Sequence, residues 1–236
     1  MRKALGLLLI TCVTGAVACK SETTTNNLSD TSATTMTDTS ATTSTMATDL
    51  TGTSTTGTMV AESHSIGLVD ATNAEYVTSS WAGTGNSGTM TVRIVNRTER
   101  EWLIHVDVGT KLEPSNSGVQ SMVVTEELHV TMHPHDSQTL DVEVSCLDIS
   151  KDTPDTTDRG WSANVSTGLA AFIGCVKGGD DADKLQIAVW AARGATREQW
   201  VDYFVTYQGA SRAEALQMAI AAEDDGRAIL ARCPSS

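Results

Sequence analysis

The sequence lacks the short motifs that mark the common catalytic classes. No serine sits in a G-x-S-x-G elbow, no Gly-rich loop follows a strand to cradle phosphate, and no H-E-x-x-H occurs. The chain is therefore read as a non-enzyme that needs no cofactor. Positive charge is also scarce. Lysine and arginine number 16 against 29 aspartates and glutamates, for a formal net charge of −13 and a pI near 4.6. An acidic exterior argues against nucleic acid as a partner and against adsorption to anionic lipid. The acidic clusters Asp180-Asp181 and Glu223-Asp224-Asp225 lack the spaced oxygen ligands of a calcium loop and read as solvated helix ends. There is no internal repeat. From Ser21 to about Gly57 large apolar residues are almost missing, with Leu28, Met36, Met46 and Leu50 scattered among threonine and serine. Such a segment buries too little surface to offset its ordering entropy and is expected to be a disordered tether.

What is present begins at the first residue. Arg2 and Lys3 form a short basic head, and Ala4 to Ile10 form an apolar run that continues weakly to Ala18. The run is short for a bilayer-spanning helix and has the layout of a signal peptide. Ala16-Val17-Ala18 stands directly before Cys19, and this segment resembles the lipobox of bacterial lipoproteins, although Ala16 occupies a place where Leu is usual. The resemblance implies cleavage before Cys19 and lipid on its thiol and on the new amino terminus. Two alternatives stay open: Leu9-Ile10-Thr11-Cys12 as a competing site, and an ordinary secretory signal cut after Ala18. Lys20, rather than Asp, follows Cys19. In lipoproteins of two-membraned bacteria that implies the outer membrane. The expected location is the cell envelope, lipid-anchored, at the outer membrane or cell surface.

The remainder is the size of one ordinary domain. Segments 90–94, 102–108, 128–132 and 140–146 alternate apolar and polar residues, the mark of strands with one buried and one wet face, and 119–124 is a further strand candidate. His133-Pro134-His135-Asp136-Ser137 has the composition of a hairpin turn. After Asp148 and a polar loop, helical signs take over. Leu185, Ala188, Val189 and Ala192 share a helical face. Thr196-x-x-Gln199 and Ser211-x-x-Glu214 are capping boxes, with Gly194 and Gly209 as stops. The expected fold class is α+β: an antiparallel β-sandwich followed by a small helical subdomain, preceded by the disordered Thr/Ser-rich stalk. The organisation reads as signal peptide 1–18, lipidated Cys and linker 19–61, sandwich part 62–150 and helical part 151–236 of the same domain.

If Cys19 carries lipid and Cys12 leaves with the leader, Cys146, Cys175 and Cys233 remain. An exported domain favours one disulfide among them, and the pair is not fixed by sequence. Cys146 continues the buried face of Leu140, Val142 and Val144. Downstream lies Leu185-Gln186-Ile187-Ala188-Val189-Trp190. Together these resemble the thioester domains of bacterial surface adhesins, whose later motif is T-Q-x-A-[IVL]-W. Leu185 replaces the motif Thr, and Ser145 stands where an aromatic or Leu is preferred. The resemblance implies Cys146 as thiol and Gln186 as acyl donor of an internal thioester that captures amines, with Ala188 and Trp190 as shielding. Gln186 and Trp190 lie one helical turn apart, so the indole can cover the carboxamide. Without the bond, the expectation is a disulfide-bearing envelope lipoprotein that binds a surface protein or glycan non-covalently.

His129, His133 and His135 share odd parity, and a hairpin about 133–137 would set His129 opposite Glu143 and Thr131 opposite Asp141. They are the candidates for metal binding, although their spacing fits no zinc motif. Asn96-Arg97-Thr98 and Asn164-Val165-Ser166 fit the N-glycosylation triplet and are read as chance matches beside a lipoprotein signal.

Overall fold

Alternating residues become strands where every second side chain meets a common core. The computed structural model describes residues 64–85 and 88–234. Its strands are β1 (His64–Gly67), β2 (Val77–Gly83), β3 (Thr89–Asn96), β4 (Trp102–Val106), β5 (Thr110–Glu113), β6 (Met122–Val124), β7 (Leu128–Met132), β8 (Ser137–Cys146) and β9 (Ser162–Val165). A short helix, α1 (Leu68–Asn73), follows β1. The chain closes with α2 (Thr167–Lys177), α3 (Leu185–Ala192), α4 (Arg197–Gln208) and α5 (Arg212–Arg232). The architecture is mixed α+β, with antiparallel sheets followed by a C-terminal helical region. The signal peptide, Cys12, Cys19 and the Thr/Ser-rich segment lie outside the described residues.

The larger sheet has the order β2-β3-β8-β6-β5-β9, and each neighbouring pair is antiparallel. The smaller has the order β1-β4-β7, parallel between β1 and β4 and antiparallel between β4 and β7. Met90, Val92 and Ile94 of β3 meet Ile104 and Val106 of β4, Met132 of β7 and Val144 of β8 in one buried cluster. The alternation along each strand is what delivers those side chains to one face.

The turn at 133–137 corrects the hairpin expectation. β7 pairs with β4 in the small sheet, whereas β8 pairs with β3 and β6 in the large one. The turn thus carries the chain from one sheet to the other. His129 faces His105 and Thr131 faces Leu103, while Glu143 and Asp141 face Thr89 and Thr91. Two features favour the crossing. Asn96, fully buried at the end of β3, donates from Nδ2 to the carbonyls of Arg100 (2.7 Å), Met132 (3.3 Å) and His133 (2.9 Å). His135 takes a left-handed conformation at φ 58°. The Asn96 carboxamide ties the end of β3 to the end of β7 at this corner, while the Asp136 N–H closes the turn on the His133 carbonyl at 3.1 Å.

The helical region follows its caps. The Thr196 and Ser211 side chains each accept from the backbone N–H three residues on, and Gln199 and Glu214 reach back in return. Gly209 ends α4 with φ 68°. α3 has no side-chain cap and grows out of a 3-10 turn at Ala182–Lys184. It is held from behind by α5. A Cβ added at Gly226 would lie 2.5 Å from the Ala191 Cβ, so the missing side chain sets how closely the two helices approach. A disulfide joins Cys175 in α2 to Cys233 just past α5, with Cα atoms 5.7 Å apart.

Candidate functional site

The last residues of β8 run beyond the end of their neighbour. β3 stops pairing at Thr89 opposite Glu143, and the Val144 N–H is taken by the Gly88 carbonyl at 2.9 Å. One step further the edge is closed by a side chain. The Cys146 N–H donates to Gln186 Oε1 at 2.9 Å, and Gln186 Nε2 donates to the Cys146 carbonyl at 2.8 Å. The carboxamide behaves as a short piece of strand laid against Cys146. Both of its polar ends are engaged, so its carbon is fixed beside the residue that bears the sulfur.

Cys146 is fully buried and Gln186 half-buried. One turn along α3, Trp190 joins the same core cluster as Cys146. Its indole meets Trp200 edge-on at 5.4 Å and Tyr203 at 4.9 Å. Burial there pushes the Tyr203 phenol up to about 12. The Trp190 indole N–H is buried with no hydrogen-bond partner among the described residues. Ala188 is also fully buried, but it belongs to a second cluster with Leu147, Ile173 and Cys233. A small cleft of about 130 Å³ opens beside the site, between Leu147, Asp148 and Ile149 on one side and Trp190 and Arg193 on the other.

The structure therefore brings Cys146 and Gln186 together, with Trp190 in the same core cluster as Cys146 and Ala188 in the second cluster. Of the cysteines, Cys175 and Cys233 are bonded to each other, and Cys146 is also disulfide-bonded in this structure. The histidines do not converge. His129 sits 3.4 Å from Glu127, His133 2.7 Å from Glu101 and His135 2.9 Å from Glu99, each with a carboxylate of its own. Among the described residues no group of three His, Cys, Asp or Glu side chains is arranged to hold a metal ion. No helix among them is long and apolar enough to cross a membrane. The two-point contact on the Cys146 backbone was not foreseeable from spacing, because it depends on how far β8 extends past its last pair with β3. No family model, curated protein or solved structure matches this chain.

Proposed function

We propose that the chain is a lipid-anchored cell-envelope surface protein whose domain is an adhesion module with an internal thioester between Cys146 and Gln186. The domain is read as a β-sandwich with a helical subdomain, held off the membrane by the disordered Thr/Ser-rich stalk. One observation carries the reading: the Gln186 carboxamide docked at both ends on the Cys146 backbone, with Oε1 on the N–H and Nε2 on the carbonyl.

The chemistry follows from that pairing. The Cys146 sulfur attacks the Gln186 carbonyl carbon, a C–S bond replaces the C–N bond, and the amide nitrogen leaves as ammonia with the thiol proton. Negative charge that develops on Oε1 meets the Cys146 N–H already in place at 2.9 Å, a preorganised donor of the oxyanion-hole kind. The same donor serves the reverse step. An amine on a target surface attacks the thioester carbon, an amide forms, and the thiol is released. Burial of Cys146 limits access of water, which would otherwise hydrolyse the bond. The reaction takes Cys146 as a thiol, so it requires that the disulfide Cys146 makes in this structure be absent from the mature chain. Formation and capture are single-turnover, so the module is not an enzyme.

Intact mass of the purified mature chain, without reductant, tests this reading. The expected mass is short by one ammonia, gains one methylamine on treatment, and loses both properties in Cys146→Ala and Gln186→Ala. A mass short only by the hydrogens of disulfides, with Cys146 in one of them, would overturn it. The protein would then be a disulfide-bearing envelope lipoprotein that binds its partner non-covalently.

A further inference from the structure

A second cleft, of about 350 Å³, opens between α1, β2 and the start of β9, and no residue of the Cys146 site lines it. Its walls hold two indoles, Trp81 and Trp161, and five polar side chains, Thr72, Asn73, Ser79, Ser162 and Asn164. The volume falls at the lower end of small-molecule sites. In a chain of net charge −13, none of the side chains lining this cleft is charged.

The polar groups are unevenly used. Thr72 Oγ1 donates to the Leu68 carbonyl at 2.8 Å and lies 3.2 Å from Ser79 Oγ, and Trp161 Nε1 donates to the Asp158 carbonyl at 3.3 Å. The amides of Asn73 and Asn164 are exposed and make no side-chain hydrogen bond among the described residues. The decisive group is Trp81. It is only 4% exposed, and its indole N–H is buried with no partner among the described residues. Trp81 lines the cleft while its N–H has almost no accessible surface, so an acceptor from outside reaches this unsatisfied donor once the indole shifts towards the cleft.

We infer that this cleft binds a neutral sugar unit of a surface glycan. A pyranose ring has an apolar C–H face suited to an indole, and hydroxyls that both donate and accept. A ring against Trp161 would present oxygen to the Trp81 N–H and hydroxyls to the Asn73 and Asn164 amides. A charged sugar would find no counter-ion in the lining and would meet an acidic protein. The site is independent of the thioester: Trp161 and Asn164 belong to the β9 side of the domain, and Gln186 to α3.

The test uses the full mature chain, labelled with ¹⁵N at the tryptophan indoles and held in a detergent without a sugar headgroup. Methyl glucoside, methyl galactoside and N-acetylglucosamine are titrated in, with glucuronic acid and sialic acid as charged controls. The expected result is a saturable shift of one indole N–H signal by at least one neutral sugar, assigned to Trp81 by its loss in Trp81→Phe. Trp161→Ala should weaken binding about tenfold and Asn164→Ala about threefold, in keeping with a stacking contact and one hydrogen bond. Asn164→Ala should keep the ammonia-short mass, which separates failure here from failure of the thioester. Three outcomes would overturn the proposal: no indole shift with any neutral sugar, equal or tighter binding of the charged controls, or unchanged affinity in Asn164→Ala. Asn164 is exposed, so the last outcome is readable even if Trp161→Ala does not fold.

Discussion

At the scale of residues, Gln186 carries two obligations that substitutions separate. It closes the open edge of β8 by accepting from the Cys146 N–H and donating to the Cys146 carbonyl, and it is the proposed acyl donor. Gln186→Ala removes both hydrogen bonds and should lower the unfolding free energy by about 1–2 kcal/mol, with loss of the ammonia-short mass. Gln186→Glu keeps the shape but sets a carboxylate oxygen against the Cys146 carbonyl, where a donor stood. The expected cost is about 1–3 kcal/mol at neutral pH. On acidification the Glu variant should approach the wild type, because a protonated carboxyl recovers the donor. The Ala variant should not. Urea midpoints of all three at pH 7 and at pH 4, measured in a Cys146→Ala background that keeps the backbone partners and cannot form the thioester, check this. Equal behaviour of the two variants at both pH values would mean that the docked carboxamide is not the contact that matters. Part of this pairing was legible in the sequence. The inward face of Leu140, Val142 and Val144 pointed to a buried Cys146. The docking on backbone atoms was not legible, because it needs a strand end whose neighbour falls short.

Among elements, α3 is the one whose position sets the site, and it is placed by contact rather than by its own ends. It has no side-chain cap, and Gly226 of α5 meets Ala191 of α3 with no room for a Cβ. Gly226→Ala should raise intrinsic helix propensity by up to about 1 kcal/mol. It also forces a methyl to within 2.5 Å of the Ala191 Cβ, an overpacking that costs about 1–3 kcal/mol. The net expectation is a lower melting temperature and a slower approach to the ammonia-short mass, as α3 shifts with Gln186. Adding Ala191→Gly to Gly226→Ala should restore both, a non-additive rescue that identifies the helix contact. The same reasoning explains which elements could be read from the sequence. Segments 90–94, 128–132 and 140–146 lie within β3, β7 and β8 because their alternation is clean, and the capping boxes at Thr196 and Ser211 open α4 and α5. β1, β5 and β9 have four residues each, too few for a period to stand out. β2 hides its alternation behind Ser79 and Ser80, which occupy positions that usually advertise a face. The hairpin at 133–137 failed for a tertiary reason. β8 is drawn into the large sheet by β3 and β6, and a local turn composition cannot report that competition.

For the molecule as a whole, the disulfide and the ends of the pH range set its tolerance. Cys175 and Cys233 are 58 residues apart in sequence, and the loop they close contains α3, α4 and α5. Chain-entropy arithmetic for a loop of that length gives about 4 kcal/mol of stabilisation. The double variant Cys175→Ser, Cys233→Ser should show a loss of that order in guanidinium unfolding, with helical amides gaining most hydrogen exchange. The acid limb is set by groups such as Glu214, held below its usual range by the Ser211 hydroxyl and backbone N–H, and Asp136, held low by Gln138 and Ser137. Their folded pKa values lie below the unfolded ones, so their stabilisation is complete above the unfolded values and is lost as pH falls through the folded ones. The alkaline limb runs the other way and is more diagnostic. Tyr203 is pushed up from 10.0 to about 12, chiefly by burial against the aromatic cluster of α3 and α4. Between those two values the unfolded chain has given up the phenolic proton while the folded chain keeps it. The contribution of Tyr203 to the unfolding free energy should therefore be constant below pH 10 and fall from there towards pH 12. Tyr203→Phe removes the titrating group and keeps the ring, so it should flatten that fall. A slope that survives in Tyr203→Phe would place the alkaline sensitivity in another group.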